Sequence, residues 1–197
     1  MILVPVMLIL SCLKVDKAIA WGVLEVSEGI PVMMLWMNLI FIIASITDAI
    51  DGHLARSRNM VTTFGKFLDP LADKILVLSA LIILVQFHKL PAWVPAIILT
   101  REFLVSGYRL VAVEKGGQVI AASFWGKLKT VTQMLAIVLA FIDIHAFGEF
   151  IEYGYTFTKL GFVVNIITTV LMSLAVIATI FSGYDYLKNG KDLFKDA

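Results

Sequence analysis

The sequence predicts an all-α membrane protein with six transmembrane helices around a cavity, and two observations support this fold class. Hydrophobic residues make up 60% of the chain and charged residues only 16%, whereas soluble domains average about 45–50% and about 25%. The apolar residues also form long stretches separated by short polar breaks. A chain this apolar cannot bury its surface in one aqueous core, so the lipid bilayer is its expected solvent.

Each apolar stretch predicts one helix of a single transmembrane domain that covers residues 1–197. A bilayer span takes about 20 helical residues, and five of the six stretches are long enough. The first stretch is too short, so we expect a helix whose beginning is absent or one that continues through residues 18–24. The stretches are residues 1–13, 31–57, 67–88, 91–114, 119–142 and 159–186.

The distribution of Lys and Arg predicts the orientation, because basic residues accumulate on the cytoplasmic side of a membrane. One side collects Arg56, Arg58, Lys66, Lys115, Lys127, Lys129, Lys188, Lys191 and Lys195. The other side collects Lys14, Lys17, Lys89 and Lys159. The first side is therefore expected to face the cytoplasm. The net charge of +1 and the lack of a basic tract give no reason to expect a nucleic-acid partner.

Two pairs of aspartates lie where a membrane protein ordinarily has apolar residues. Asp48 and Asp51 stand three residues apart near the end of the second stretch, and Asp69 and Asp73 stand four apart at the start of the third. On a helix, each pair shares one face. The segment between the pairs is long enough to return the chain antiparallel, so we expect all four carboxylates in one pocket on the cytoplasmic side.

Four carboxylates this close repel one another, and some would be protonated unless cations neutralised them. Hard oxygen ligands without nearby Cys or clustered His favour two Mg²⁺ (or Mn²⁺) ions over zinc. Paired ions of this kind clamp phosphate oxygens during a displacement. The alternative is that the aspartates form surface salt bridges with neighbouring Arg and Lys residues. Two facially matched pairs within a membrane favour the functional interpretation.

The residues between the pairs complete a signature. It reads Asp48-x2-Asp51-Gly52-x2-Ala55-Arg56-x8-Gly65-x3-Asp69-x3-Asp73. This pattern resembles, letter for letter, the signature of the CDP-alcohol phosphatidyltransferase family. The resemblance implies six transmembrane helices, a homodimer, a CDP-linked lipid donor and CMP as the leaving product. It also implies metal binding by the first three aspartates, with Asp73 a further ligand or the general base. We favour the base.

The other signature residues suit a nucleotide. Gly52 and Ala55 are small enough to let a flat base or ribose approach the helix, although helix packing would use them equally well. Arg56 either pairs with a phosphate or fixes a neighbouring aspartate, and Gly65 predicts a turn or close packing before the third helix. The predicted CDP-binding residues are Asp48, Asp51, Gly52, Ala55, Arg56, Gly65 and Asp69.

Cations in the later stretches predict an anionic acceptor. Arg101, followed by Glu102, lies in the middle of the fourth stretch and Arg109 two turns further on, while Lys127 and Lys129 lie early in the fifth. A lone charge inside a membrane costs a few kcal/mol, so several converging cations indicate a phosphate site, for which Arg is well suited. Alternatively, Arg101 pairs with Glu102 or a neighbouring helix, and the lysines extend to the lipid headgroups. The predicted acceptor-phosphate residues are Arg101, Arg109, Lys127 and Lys129.

Further segments resemble the bacterial branch of the family that makes phosphatidylglycerophosphate. These are residues 65–74, 100–103, 126–130 and 182–186. The resemblance implies sn-glycerol 3-phosphate as acceptor, CDP-diacylglycerol as donor, and a multi-pass protein of the bacterial cytoplasmic membrane with its active site facing the cytoplasm. Members of this branch usually begin with an amphipathic Asn-x-x-Thr-x-x-Arg segment. The chain opens just after that point, so we expect the start to be trimmed or misassigned.

Three alternatives stay open at this stage. The same family includes enzymes for other acceptors, such as inositol phosphate, serine or phosphatidylglycerol. A divalent-cation transporter also places carboxylates in a membrane, but near the midplane with access from both sides. A prenyl-diphosphate transferase shares aspartate pairs and magnesium but lacks the Asp-Gly-x2-Ala-Arg core. Metal-dependent CMP release from a CDP-linked donor would separate the enzyme proposed here from the last two.

Overall fold

The computed structural model describes residues 3–12, 32–57, 63–114, 124–143, 145–153 and 159–189. Side chains are described at these positions except residues 32, 49, 52–57, 63–73, 109–114, 152–153, 159–160 and 189. The described residues form seven α-helices and no β-strand, which confirms the all-α prediction. The helices are α1 (Leu3–Cys12), α2 (Val32–Ser57), α3 (Thr63–Gln86), α4 (Trp93–Glu114), α5 (Phe124–Ile142), α6 (Glu149–Tyr153) and α7 (Lys159–Asn189).

The start of α3 differs from the predicted helix. Helix α3 begins at Thr63 rather than at residue 67, so Gly65 lies within its first turn. The predicted turn at Gly65 is therefore wrong. The first N–H groups of a helix have no partner within the helix, so a polar, glycine-containing segment is tolerated there and does not mark a break. The short helix α6 is the other element that the apolar pattern does not predict.

Two described helices are long and apolar enough to cross a membrane. These spans are Phe124–Ile142 in α5 and Gly161–Lys188 in α7. Among the described side chains, α2 and α3 contribute the apolar parts Met33–Asp48 and Lys74–Gln86. Six membrane-spanning helices therefore remain a prediction.

The described helices expose large apolar side chains and also bury polar ones beside an apolar core. Phe103 is 69% exposed and Phe124 is 72% exposed, whereas Asn165, Thr179 and Ser182 are fully buried. A soluble protein rarely exposes so much large apolar surface while burying polar side chains. Lipid solvates such a surface favourably, so the two apolar spans and this packing together indicate a membrane protein.

A contact between two loops identifies one end of the helix bundle, and the course of α2 identifies the opposite end. Phe147 N donates to the Lys89 carbonyl oxygen at 3.0 Å, so the loop after α3 lies against the loop after α5. We call this end the loop end. The Phe41 and Phe141 rings lie 6.4 Å apart, which places the first half of α2 beside the end of α5. Asp48 lies about 10 Å further along α2, toward the opposite end, which we call the carboxylate end.

Helix α3 ends in a Schellman turn. Lys89 N donates to the Leu84 carbonyl oxygen at 2.8 Å and His88 N donates to that of Val85 at 3.0 Å, which is the bond pattern of this motif. His88 has a φ of 57°, in the left-handed region that glycine occupies without strain.

Replacing His88 by Gly is expected to stabilise the protein by about 0.5 kcal/mol. The left-handed conformation costs an L-residue about 1–2 kcal/mol, and the greater freedom of glycine in the unfolded chain offsets part of the gain. Thermal unfolding in detergent measures the change, with His88→Ala as the control that keeps the Cβ atom. A His88→Gly protein no more stable than His88→Ala would contradict this account.

A buried polar network closes the loop end. Asn165 Nδ2 donates to Asp143 Oδ2 at 2.8 Å and to the Ala146 carbonyl oxygen at 2.9 Å. Its Oδ1 atom accepts a hydrogen bond from Phe150 N at 3.1 Å. One side chain of α7 thus holds the end of α5 and the start of α6 together.

Burial shifts the pKa values of two charged groups at the loop end. Burial raises the pKa of Asp143, although hydrogen bonds from His145 and Asn165 and the charge of Lys89 oppose the shift. Burial lowers the pKa of Lys89, opposed by the charges of Asp143 and Glu149. The raised Asp143 pKa favours the fold at acidic pH, and this contribution is lost as the pH rises through that pKa. The lowered Lys89 pKa favours the fold at alkaline pH, and its contribution is lost as the pH falls through the folded pKa.

Candidate active site

Two of the four signature aspartates have described side chains, and both line one cavity. Asp48 is half-buried and Asp51 is exposed, and their spacing on α2 places them on one helix face. The cavity has a volume of about 70 Å³. Its lining residues are Leu3, Val4, Ala44, Thr47, Asp48, Asp51 and Leu76.

The backbone of α3 brings the second aspartate pair near this cavity. Leu76, which lines the cavity, follows Asp73 by three residues, or about 4.5 Å along the helix axis. Asp69 and Asp73 both lie on α3, and α2 and α3 are in contact. The side chains of Asp69 and Asp73 lie outside the described residues, as do those of Arg56 and Ala55 and the surroundings of the signature glycines.

Described side chains alone do not assemble a metal site, since no group of three or more His, Cys, Asp or Glu residues is found among them. The described part of the signature contributes two carboxylates at one cavity. This donor set suits a hard divalent cation and would need further oxygen ligands. Asp69 and Asp73 are the predicted source of those ligands.

A second polar site lies between α3, α4, α5 and α7, with the Glu102 carboxylate at its centre. Glu102 Oε1 accepts from Arg101 Nη1 at 3.1 Å and forms an ion pair with Lys129 Nζ. Its Oε2 atom lies 3.9 Å from Lys74 Nζ, and Lys74 also donates to Ser106 Oγ. We call Lys74, Arg101, Glu102 and Lys129 the Glu102 cluster. Cations from three helices share one carboxylate in it.

Helix α7 holds the Arg101 side chain from another side. Arg101 Nη2 donates to Ser182 Oγ, and the guanidinium carbon lies 5.6 Å from the centre of the Tyr186 ring, a cation–π distance. A Cβ atom at Gly183 would lie 3.5 Å from Arg101 Cγ, so the backbone of α7 approaches this side chain closely. Arg101 Nε is buried and has no hydrogen-bond partner among the described residues.

The structure brings together two of the four predicted acceptor-phosphate residues. Arg101 and Lys129 have side chains only 12% and 7% exposed within the Glu102 cluster. The Arg101–Glu102 pairing that the sequence left as an alternative is observed, while Lys129 is buried among helices instead of extending to the headgroups. Lys127 is exposed and forms no ion pair with any side chain that is described. Arg109 lies on α4, with its side chain outside the described set.

The apolar pattern does not reveal the central place of Glu102 or the contributions of Lys74 and Ser182. One signal was available, because a carboxylate in the middle of a membrane helix requires a partner. Helix periodicity relates Glu102 to Ser106 on the same helix, but it cannot show which neighbouring helix supplies a cation. That choice depends on how α3, α5 and α7 pack against α4.

Comparisons with known proteins identify the family of this chain. The sequence profile of CDP-alcohol phosphatidyltransferases matches residues 1–181. The chain is 42% identical over 194 residues to the CDP-diacylglycerol–glycerol-3-phosphate 3-phosphatidyltransferase of Bacillus subtilis, covering 98% of this chain and 91% of that protein.

Two further relatives come from other bacteria. The protein of the same name from Haemophilus influenzae is 38% identical over 163 residues, which cover 81% of this chain and 79% of the relative. A probable phosphatidylglycerophosphate synthase of Mycobacterium tuberculosis is 41% identical over 148 residues, or 75% of this chain and 62% of the relative. The profile match spans most of the chain and includes both aspartate pairs and the Glu102 cluster. This chain therefore belongs to the CDP-alcohol phosphatidyltransferase family.

Proposed function

We propose that the protein transfers the phosphatidyl group of CDP-diacylglycerol to sn-glycerol 3-phosphate, giving phosphatidylglycerophosphate and CMP. The observation that carries this proposal is the 42% identity, over 98% of this chain, to a bacterial protein named for that reaction. The Asp48–Asp51 cavity and the cationic Glu102 cluster support it, because the reaction needs a site for a diphosphate and one for a phosphate monoester.

The donor is assigned to the carboxylate end. Two Mg²⁺ or Mn²⁺ ions bound by the aspartates would neutralise the negative charge of the donor diphosphate. The proposed metal ligands are Asp48, Asp51 and Asp69, with Asp73 as a weaker further ligand or as the base alone. The proposed nucleotide contacts are Gly52, Ala55, Arg56 and Gly65, together with the first three aspartates.

Asp73 is the proposed general base. It removes the proton from the acceptor hydroxyl, whose oxygen forms a bond to the phosphorus that carries the diacylglycerol. The bond from that phosphorus to the oxygen bridging to CMP breaks, and CMP leaves with the electron pair. Arg101 and Lys129, with Arg109 and Lys127 as further candidates, receive the acceptor phosphate. Lys74 directly follows Asp73 in the chain, so α3 carries both the proposed base and one cation of the proposed phosphate site.

Six membrane-spanning helices, a carboxylate end facing the bacterial cytoplasm and a homodimer complete the proposal. The orientation rests on the excess of Lys and Arg in the connections on that side. The dimer rests on the family resemblance alone.

CMP release by the purified protein tests the proposed reaction. With CDP-diacylglycerol and Mg²⁺, we expect release with glycerol 3-phosphate and little or none with inositol phosphate, serine or phosphatidylglycerol. Omitting the divalent ion is the control and should abolish release. Preference for another acceptor would retain the family chemistry but reject the proposed acceptor. Release that does not depend on a divalent ion would reject the metal ligands.

A further inference from the structure

We infer that Glu102 is a positioning residue for the acceptor phosphate, holding Lys74, Arg101 and Lys129 in place to receive it. Neither Glu102 nor Lys74 belongs to the aspartate signature. The inference rests on the proposed function and adds to it a specific role for an anionic side chain in an anion-binding site.

The charge of the Glu102 cluster supports a phosphate ligand. Three cations surround one carboxylate, so the described part of the cluster carries an excess of two positive charges. Glu102 alone does not neutralise the three cations, and holding like charges together away from water is costly without further anions. A phosphate monoester carries a charge of about −1.5 to −2 at neutral pH. The excess therefore matches one such group.

The arrangement of Glu102 explains how the cations are held. One carboxylate oxygen binds both Arg101 and Lys129, and the other faces Lys74 at 3.9 Å. These cations come from three different helices, and their side chains are long and flexible. A shared carboxylate fixes their nitrogen atoms around one point before the ligand arrives, which lowers the entropy lost on binding.

Two details of the cluster leave room for a ligand. Arg101 Nε is a buried donor without a partner among the described residues, and a phosphate oxygen would satisfy it. The Lys74 side chain is 36% exposed, compared with 12% for Arg101 and 7% for Lys129. The cluster is therefore open on its α3 side. That is the helix that carries Asp73, whose proposed task is to deprotonate the same acceptor.

The variant Glu102→Gln tests the inference, because it keeps the shape of the side chain and removes its charge. We expect the KM for glycerol 3-phosphate to rise about 10- to 100-fold, the loss that follows when charge-assisted hydrogen bonds are misaligned. The KM for CDP-diacylglycerol should stay within about twofold of the wild-type value. Glu149→Gln removes a carboxylate at the loop end and is the matched control, with both KM values unchanged.

The coupling between Glu102 and Lys129 separates positioning from a purely structural role. If Glu102 acts through Lys129, then Glu102→Gln should raise the acceptor KM much less in a Lys129→Met background than in the wild type. If the rise in acceptor KM of the double variant equals the product of the rises in the two single variants, the inference is overturned. If Glu102→Gln does not fold, Glu102→Asp retains the charge but withdraws it by one methylene, and the acceptor KM should then rise about tenfold.

Failure of the inference is distinguishable from failure of the proposed function. A wild-type protein that uses glycerol 3-phosphate, with an unchanged acceptor KM in Glu102→Gln or Glu102→Asp, would overturn the inference alone. A parallel rise in both KM values would also overturn it, because a structural defect affects both substrates. A wild-type protein that does not use glycerol 3-phosphate would overturn the proposed function, and the inference with it.

Discussion

Replacing Asp73 by Asn is expected to lower kcat for CMP release by about 10²–10⁴-fold, the range that general bases contribute. The amide cannot accept the proton of the attacking hydroxyl, yet it leaves one oxygen for metal or substrate. Asp48→Asn should also abolish turnover, but for a different reason, since it removes a charged ligand from the half-buried Asp48 position beside the cavity.

Metal binding distinguishes the two variants. With Mn²⁺ as the probe, titration calorimetry of the purified proteins should show a much larger loss of affinity in Asp48→Asn than in Asp73→Asn. The thermal stability of each variant without metal provides the control for folding. Equal loss of Mn²⁺ affinity in both variants would show that Asp73 contributes as much to metal binding as Asp48 does. That result would reject Asp73 as the general base.

Replacing Asn165 by Leu is expected to destabilise the protein by about 3 kcal/mol. Leu has a similar volume but leaves Asp143 Oδ2 and Phe150 N without their Asn165 partner, while the Ala146 carbonyl keeps only its hydrogen bond from Glu149 N. A buried group left unsatisfied costs about 1–3 kcal/mol. Helix α6 and the end of α5 gain water once the network opens, which limits the total.

Thermal unfolding in detergent measures this loss, and Thr168→Val is the matched control. Thr168 is also buried on α7, but its hydroxyl donates to the Val164 carbonyl of its own helix at 2.9 Å. That carbonyl keeps its backbone hydrogen bond in the variant, so a change below about 1 kcal/mol is expected. Similar losses in Asn165→Leu and Thr168→Val would show that the loop-end network contributes little.

Much of the helical fold follows from the sequence, because apolar length and polar breaks are local properties. The bounds of α2 agree with the predicted 31–57 to within one residue, and α4 begins at Trp93 rather than at residue 91. The turn alternative at Gly65 was wrong, because α3 already begins at Thr63, while close packing at Gly65 stays a prediction. The hydropathy signal responds to charge, while the helix continues as long as backbone hydrogen bonds can form.

In the candidate site, too, some features follow from local sequence and others depend on packing between helices. Asp48 and Asp51 are one turn apart on a single helix, so their common face follows from spacing, and the cavity between them and α3 is consistent with it. The Glu102 cluster depends on contacts between helices, over separations such as the 27 residues from Glu102 to Lys129. No local pattern specifies which side of α4 meets α5. The sequence therefore singles out the cluster cations of α4 and α5, Arg101 and Lys129, but neither Lys74 of α3 nor the carboxylate that the three share.

The long separation between Arg101 and its α7 contacts has a consequence for synthesis of the protein. Ser182 follows Arg101 by 81 residues, and ribosomes add about 5–20 residues per second. The nascent chain therefore holds a mid-helix arginine without its α7 partners for about 4–16 seconds. Lys129 emerges much sooner, so Glu102 is paired before the arginine is enclosed. Insertion of α7 is thus the step at which Arg101 first gains Ser182 and Tyr186 as partners.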